Sequence, residues 1–199
     1  SGLIFTLAKN TYSAVQDVKN GNWNKVYGFE LQGKTIGIIG FGNIGKNLAR
    51  LAQGMNMKVM AYDAMPIDTE YAEKNHIMIA EYEQLLKESD VISVHMPLTA
   101  ETKDMIDKKA FAIMKSNAIV INAARGGIIN EADLYEALMN KRIAGAGFDV
   151  FTQEPPKDSP LLKLNNFILT PHTASKTKEA DDNTIRMSTA NILRDLEVS

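Results

Sequence analysis

The chain has 199 residues, 45% hydrophobic and 23% charged, with a formal net charge of −2 and no cysteine. That length supports one substantial core. Near-neutral charge without a basic stripe argues against nucleic acid as a partner, and the absence of cysteine removes disulfides and thiolate metal sites, so no metal is expected. No apolar stretch reaches transmembrane length, and the opening SGLIFTLAKN lacks a basic region ahead of an apolar core. Neither a membrane nor a secretory leader is therefore implied, and a cytoplasmic location is the simplest expectation.

In chain order, the first predicted element is a helix carrying Leu3, Ile4, Leu7 and Ala8, followed by an arm with Trp23 and Tyr27. A solvent-facing helix needs fewer apolar residues, which leaves pairing with a second copy or packing on the chain's own core. A buried strand with Ile36, Ile38 and Ile39 then runs into Gly40, Gly42 and Gly45. A helix with apolar positions Ile44, Leu48, Leu51 and Ala52 follows, then a strand from Lys58 to Tyr62 that leads to Asp63.

Glycines spaced G-x-G-x-x-G between a strand and a helix make a dinucleotide site. Gly40 serves the tight turn, Gly42 the close approach of backbone to pyrophosphate, and Gly45 the packing of helix on strand. Backbone amides of Asn43, Ile44 and Gly45 then face the phosphates, with the helix dipole behind them. Asp63 can accept hydrogen bonds from the adenosine ribose and would repel a 2'-phosphate. Residues 64–67, AMPI, hold no arginine, so NAD is favoured over NADP. Taken alone, Asp63 also reads as a solvated turn aspartate.

Further short buried strands are predicted at 91–95, 118–122, 145–149 and 167–170. Helical spacing covers Ile79 to Lys87, Lys108 to Met114 and Glu131 to Asn140, the last capped by Asn130. The alternation predicts an α/β fold: a doubly wound, mainly parallel sheet of the Rossmann type, with about six or seven strands and helices on both faces. Gly40, Asp63, His95, Arg125, Asp149 and His172 all fall at or just beyond strand carboxyl ends. Ligands bind at that edge in such sheets, so the six should share a cleft.

Four strings now carry a resemblance: HMPLTAET from His95, NAARGGIINEADL from Asn122, GAGFDVFTQEPP with Asp149 and Glu154, and TPHTAS with His172. Together with the glycine fingerprint they resemble the D-isomer-specific 2-hydroxyacid dehydrogenases, over almost the whole chain. The resemblance implies hydride exchange between NAD and a D-2-hydroxy acid or its 2-oxo counterpart. It places the catalytic set on Arg125, Glu154 and His172. An arginine fork can hold a carboxylate and polarise the adjacent carbonyl, which a lysine cannot do with the same two-point geometry. His172 would exchange the hydroxyl proton while Glu154 holds the other ring nitrogen and favours the charged imidazole.

The same resemblance gives a cofactor set that adds His95, Pro97, Thr102, Ala123, Ala124, Ala174 and Ser175 to the glycine turn and Asp63, with Arg125 and His172 bordering it. His95 is read as shaping its loop rather than moving protons. Asp149 is read as accepting from the nicotinamide carboxamide, with a structural strand-end cap as the alternative. Relatives often carry glycine where Ala174 or Ser175 stands here. His76, in EKNHIM, lies outside every motif and reads as a helix-end surface residue.

By the same resemblance a substrate lobe is mostly missing from the chain. Residues 1–199 are therefore expected to be a dinucleotide-binding domain with terminal interdomain helices, the second of them in ANILRDLEVS. Such a domain should bind NAD without efficient turnover. The family's cofactor domains pair through the first helix and arm, so a homodimer is expected. Phosphoglycerate, glycerate, glyoxylate, lactate and branched acids all remain candidate substrates, with TPHTASKTKEA leaning toward phosphoglycerate. An NAD(H)-sensing module of the corepressor type is the competing function, and a formate or phosphite relative would need the same arginine.

Overall fold

Runs of isoleucine and valine supply strands that can be buried on both faces, as helix-covered parallel sheets require. β1 (Thr35–Ile39), β2 (Lys58–Tyr62), β3 (Ile77–Ile79), β4 (Val91–Val94), β5 (Ile119–Asn122), β6 (Gly145–Phe148) and β7 (Phe167–Leu169) form one sheet. Its order is β3-β2-β1-β4-β5-β6-β7, and every neighbouring pair is parallel. The computed structural model describes residues 1–197. The helices are α1 (Gly2–Ala8), α2 (Thr11–Lys19), α3 (Asn43–Gly54), α4 (Thr69–Lys74), α5 (Tyr82–Glu88), α6 (Lys108–Ile113), α7 (Glu131–Met139) and α8 (Lys178–Glu197).

Side chains alternate across the sheet and sort the core into two layers. Ile36 and Ile38 of β1 pack with Ile4, Leu48, Ala52 and Ala72, which come from α1, α3 and α4. Ile39 joins Leu85, Phe111 and Leu134 of α5, α6 and α7 on the opposite face. Full burial of such a side chain is worth about 1.5–3 kcal/mol. Gly37 lets α5 approach, because a Cβ there would lie 2.5 Å from a Leu85 methyl. The strand order reverses between β1 and β4, which puts the topological switch beside the glycine turn.

Two local expectations are corrected, one at a helix start and one at strand ends. The helix expected from Ile79 starts at Tyr82, because Ile77–Ile79 is a three-residue edge strand with Met78 and Ile79 exposed. Such a strand is too short to show a period of two. In α3 the buried stripe is Gly45, Leu48, Ala49 and Ala52, while Ile44 and Leu51 are 69% and 51% exposed. The strands expected to end at 95, 149 and 170 each stop one residue earlier, leaving His95, Asp149 and Thr170 in loops.

The first helix follows one of the two readings left open for it. Ile4, Leu7 and Ala8 are buried in the chain's own core, where α1 packs on β5, β6 and β7. Glycines make room for it: a Cβ on Gly147 would lie 3.2 Å from both Leu3 and Leu7. The apolar residues left exposed are in α2 and the arm, including Trp23 and Tyr27. At the other terminus α8 is exposed along most of its length, and the last two residues of ANILRDLEVS lie outside the described ones. Among the described residues no helix is long and apolar enough to cross a membrane.

Candidate active site

Because all seven strands are parallel, every one ends at the same edge. Gly40 follows β1, Asp63 follows β2, His95 follows β4 and Asp149 follows β6, while Arg125 and His172 stand in the loops after β5 and β7. The six residues expected at this edge are therefore all there. A cavity of about 300 Å³ between the arm and the sheet lies at the opposite edge, lined by Ile119, Gly145 and Asn166.

Each fingerprint glycine has a geometric reason. Gly40 has φ +95°, and a Cβ on it would lie 2.6 Å from the His95 carbonyl carbon. At Gly45 a Cβ would lie 2.4 Å from the Gly40 oxygen. Gly42 has no protein atom within 4 Å of its Cβ position, so the backbone there is open to close approach. Side chains of Asp68, Asp107 and Asn130 cap α4, α6 and α7, but none caps α3. The amides of Asn43, Ile44 and Gly45 at the start of α3 are thus placed to receive phosphate oxygens. Asp63 ties the turn to β2: Phe41 N–H donates to Oδ2 at 2.6 Å and Met65 N–H to Oδ1 at 3.0 Å. Each oxygen keeps a further acceptor position for a ribose hydroxyl. These groups fit NAD.

Beside the turn, His95 N–H donates to the Ile39 carbonyl at 2.7 Å and its Nε2 pairs with Ser93 Oγ at 2.9 Å. Burial pushes the imidazole down to about 4. The ring is therefore neutral at physiological pH, which suits shaping a loop. Pro97 is exposed, and Thr102 is buried with its hydroxyl donating to the Pro97 carbonyl at 2.7 Å and accepting from Thr99 N–H at 2.8 Å. Thr102 thus closes the loop on itself.

The arginine loop is built from beneath. Asn122, fully buried at the end of β5, donates through Nδ2 to the Arg125 carbonyl at 2.9 Å and accepts from Ala124 N–H at 3.1 Å. Ala123 and Ala124 are half-buried and Arg125 is exposed, with Nη1 donating to the Ala124 carbonyl at 2.6 Å. A Cβ on Gly126 would lie 2.1 Å from the Phe151 carbonyl, so this loop presses directly on the one that carries Glu154.

Glu154 and His172 meet, with His172 Nδ1 2.9 Å from Glu154 Oε2. The other oxygen, Oε1, accepts from Phe151 N–H at 3.0 Å. The His172 contact first, and then the Phe151 N–H, hold the Glu154 carboxyl below its usual range. A charged carboxylate on Nδ1 leaves Nε2 as the ring nitrogen free for proton exchange. His172 itself has φ +54°, a left-handed conformation that costs a non-glycine residue about 1–2 kcal/mol.

Asp149 maintains that conformation. Its carboxylate accepts from Thr173 N–H and Ala174 N–H at 2.8 Å each and from the Thr170 hydroxyl, while His172 N–H donates to its carbonyl at 2.9 Å. Burial works to raise the Asp149 pKa, but the Thr170, Thr173 and Ala174 donors outweigh it, and the carboxyl lies below its usual range. Three donors leave about one acceptor position for a ligand amide. The Ala174 amide is occupied by Asp149, and the Ser175 carbonyl accepts from Thr177 N–H at 3.2 Å. His76 is exposed at φ +52°, just after α4.

Sequence reasoning missed three supports. Asn122 and Thr170 each sit in a quoted motif, and short polar side chains beside a strand end are the usual anchors of a loop. Glu131 gave no signal beyond an acid at a helix start: its Oε1 accepts from Thr152 N–H at 2.7 Å, in the Glu154 loop.

Comparison with known proteins agrees with this geometry. Residues 1–174 match the family described as "D-isomer specific 2-hydroxyacid dehydrogenase, NAD binding domain". The chain is 45% identical over 184 residues to D-3-phosphoglycerate dehydrogenase of Archaeoglobus fulgidus, covering 91% of this chain and 35% of the relative. It is 43% identical over 190 residues to glycerate dehydrogenase of Methylorubrum extorquens, covering 90% and 58%. D-lactate dehydrogenase from Lactobacillus jensenii, solved with NAD+, superposes with a TM-score of 0.85 at 35% identity, covering 95% of this chain and 61% of that one. This chain thus spans only part of the length of these relatives. On the fingerprint, the edge geometry and these matches, the chain belongs to the D-isomer-specific 2-hydroxyacid dehydrogenase family as its NAD-binding domain.

Proposed function

We propose that the protein containing this chain is an NAD-dependent oxidoreductase that interconverts a D-2-hydroxy acid and its 2-oxo acid, with 3-phosphoglycerate among the candidate substrates. The observation that carries this reading is the 2.9 Å Glu154–His172 pair, standing on the same sheet edge as the glycine turn and packed against the Arg125 loop. Bound NAD supplies the hydride acceptor. Arg125 holds the substrate carboxylate and polarises the neighbouring carbonyl. His172 takes the hydroxyl proton on Nε2 in oxidation and returns it in reduction, while Glu154 fixes the ring through Nδ1. Asp149 offers its remaining acceptor position to the nicotinamide carboxamide. The similar proteins include a phosphoglycerate dehydrogenase and a glycerate dehydrogenase, which supports the substrate class. Contacts to the substrate's tail are assigned to a second lobe, since the similar proteins are longer than this chain.

The test is NADH binding and oxidation followed by fluorescence, with hydroxypyruvate, glyoxylate, pyruvate and phosphohydroxypyruvate added in turn and NADPH as comparator. NADH should bind more tightly than NADPH, and the intact protein should oxidise it with at least one of these acids. Failure to bind NADH would overturn the reading of Gly40 to Asp63, whereas binding with no turnover by the intact protein would favour a sensing module.

A homodimer acting in the cytoplasm completes the proposal. No residue of α2 is buried, and Tyr12, Val15, Val18, Trp23, Val26 and Tyr27 are all exposed, which supports pairing through α2 and the arm. Sedimentation at micromolar concentration should give twice the chain mass, and a single-chain mass would count against it.

A further inference from the structure

We propose that Glu131 is a positioning residue that locks the Glu154 loop to the Arg125 loop, and so sets where the Glu154–His172 pair stands relative to the arginine; its effect on catalysis rests on the dehydrogenase reading above. Glu131 is the first residue of α7, and that helix is already capped, since Asn130 Oδ1 accepts from Asp133 N–H at 3.0 Å. An acid in a first helical turn is favourable for the dipole alone. Glu131 does more than that. Its Oε1 accepts from Thr152 N–H at 2.7 Å, across 21 residues of sequence.

The neighbouring Phe151 N–H is held by Glu154 Oε1 at 3.0 Å. Two successive peptide N–H groups are therefore gripped by two carboxylates, one inside the loop and one reaching in from α7. From the other side Gly126 abuts the Phe151 carbonyl, as its missing Cβ shows.

The anchor itself is fixed. Between Arg125 and Glu131 the Gly127 and Ile128 carbonyls accept from Asp104 and Ile106 N–H, at 2.8 and 3.2 Å, and Asn130 N–H donates to the Ile106 carbonyl at 2.9 Å. Asn130 also donates through Nδ2 to Asp104 Oδ1 at 3.2 Å. Glu131 is thus the only side chain outside the 151–154 loop, among the described hydrogen bonds, that ties a backbone N–H of that loop to this braced segment.

The variants Glu131→Ala and Glu131→Gln separate this role from a helix-dipole role, because a peptide N–H needs only an acceptor oxygen and glutamine keeps one. In the intact enzyme, Glu131→Ala should lower kcat by about tenfold to a hundredfold, with KM for NADH little changed. Glu131→Gln should stay within about threefold of wild type, since the hydrogen bond remains. Amide hydrogen exchange gives a readout that needs no substrate: Phe151 and Thr152 should exchange faster in Glu131→Ala than in wild type or Glu131→Gln.

Unchanged exchange at both amides in Glu131→Ala overturns the proposal, as does a glutamine variant as impaired as alanine in exchange and turnover. If wild type reduces no 2-oxo acid, the dehydrogenase reading fails by that result, and exchange alone decides whether Glu131 locks the loops.

Discussion

Replacing His172 with asparagine lowers turnover of a 2-oxo acid by about a hundredfold to ten-thousandfold, the usual contribution of a positioned acid–base group. Asparagine tolerates the left-handed backbone that His172 adopts at φ +54°, so the loop keeps its course and the loss reports the imidazole itself. NADH affinity should fall far less, because the fingerprint turn and Asp63 stand on other strands. Glu154→Gln is the companion variant. Its amide oxygen can still meet Nδ1 but brings no charge to the imidazolium that forms as the proton is taken up, so turnover should fall by about tenfold or more while NADH still binds. Steady-state rates across pH for both variants check the pair. Equal rates in wild type and His172→Asn would remove His172 from the chemistry.

The second large effect is expected at Asp149. Truncation to alanine strands two backbone amides and the Thr170 hydroxyl, and releases the segment that holds His172 in a left-handed conformation. A loss of about 2–4 kcal/mol follows from hydrogen bonds to a charged acceptor. For a chain of this size that is a melting temperature lower by about 5–15 °C. The pH dependence has a definite sign. The folded carboxyl lies below its ordinary value, so its stabilisation is fully present above the unfolded pKa, about 3.9, and is lost as pH falls through the lower folded value. Wild type should therefore outlast Asp149→Asn near neutrality, and the gap should close in strong acid. Thermal unfolding of both proteins across pH measures it, and a gap that persists at the lowest pH would show that shape rather than charge holds the loop.

Much of the site was legible because its chemistry is local in sequence. Gly40, Gly42 and Gly45 needed only their spacing, and Arg125, Glu154 and His172 each sat in a short string of fixed composition. What was hidden depends on contacts between strings. Nothing in INEADL says that Glu131 reaches Thr152, because that contact exists only once β5 and β6 lie side by side. Thr102 is a related case: its string was recognised, but not that its hydroxyl would close the loop on Pro97.

The fold followed the same division. Long isoleucine-rich strands declared themselves, whereas β3 is three residues at a sheet edge and gave no usable period. In α3 the apolar spacing did not show which positions are buried, because the small Gly45 and Ala49 join Leu48 and Ala52 in the buried stripe while Ile44 and Leu51 face outward.

The seat of α1 on the glycines of β6 bears on how the molecule comes into being. Leu7 leaves the ribosome about 140 residues before Gly147, and pairings so remote in sequence are slow to form. Until they do, Leu7 lacks its seat on β6 and remains open to chaperones and to other nascent chains. The half of the sheet around β1 and β2 can order first. α1, though made before every strand of the sheet, is among the last parts of this domain to find its place.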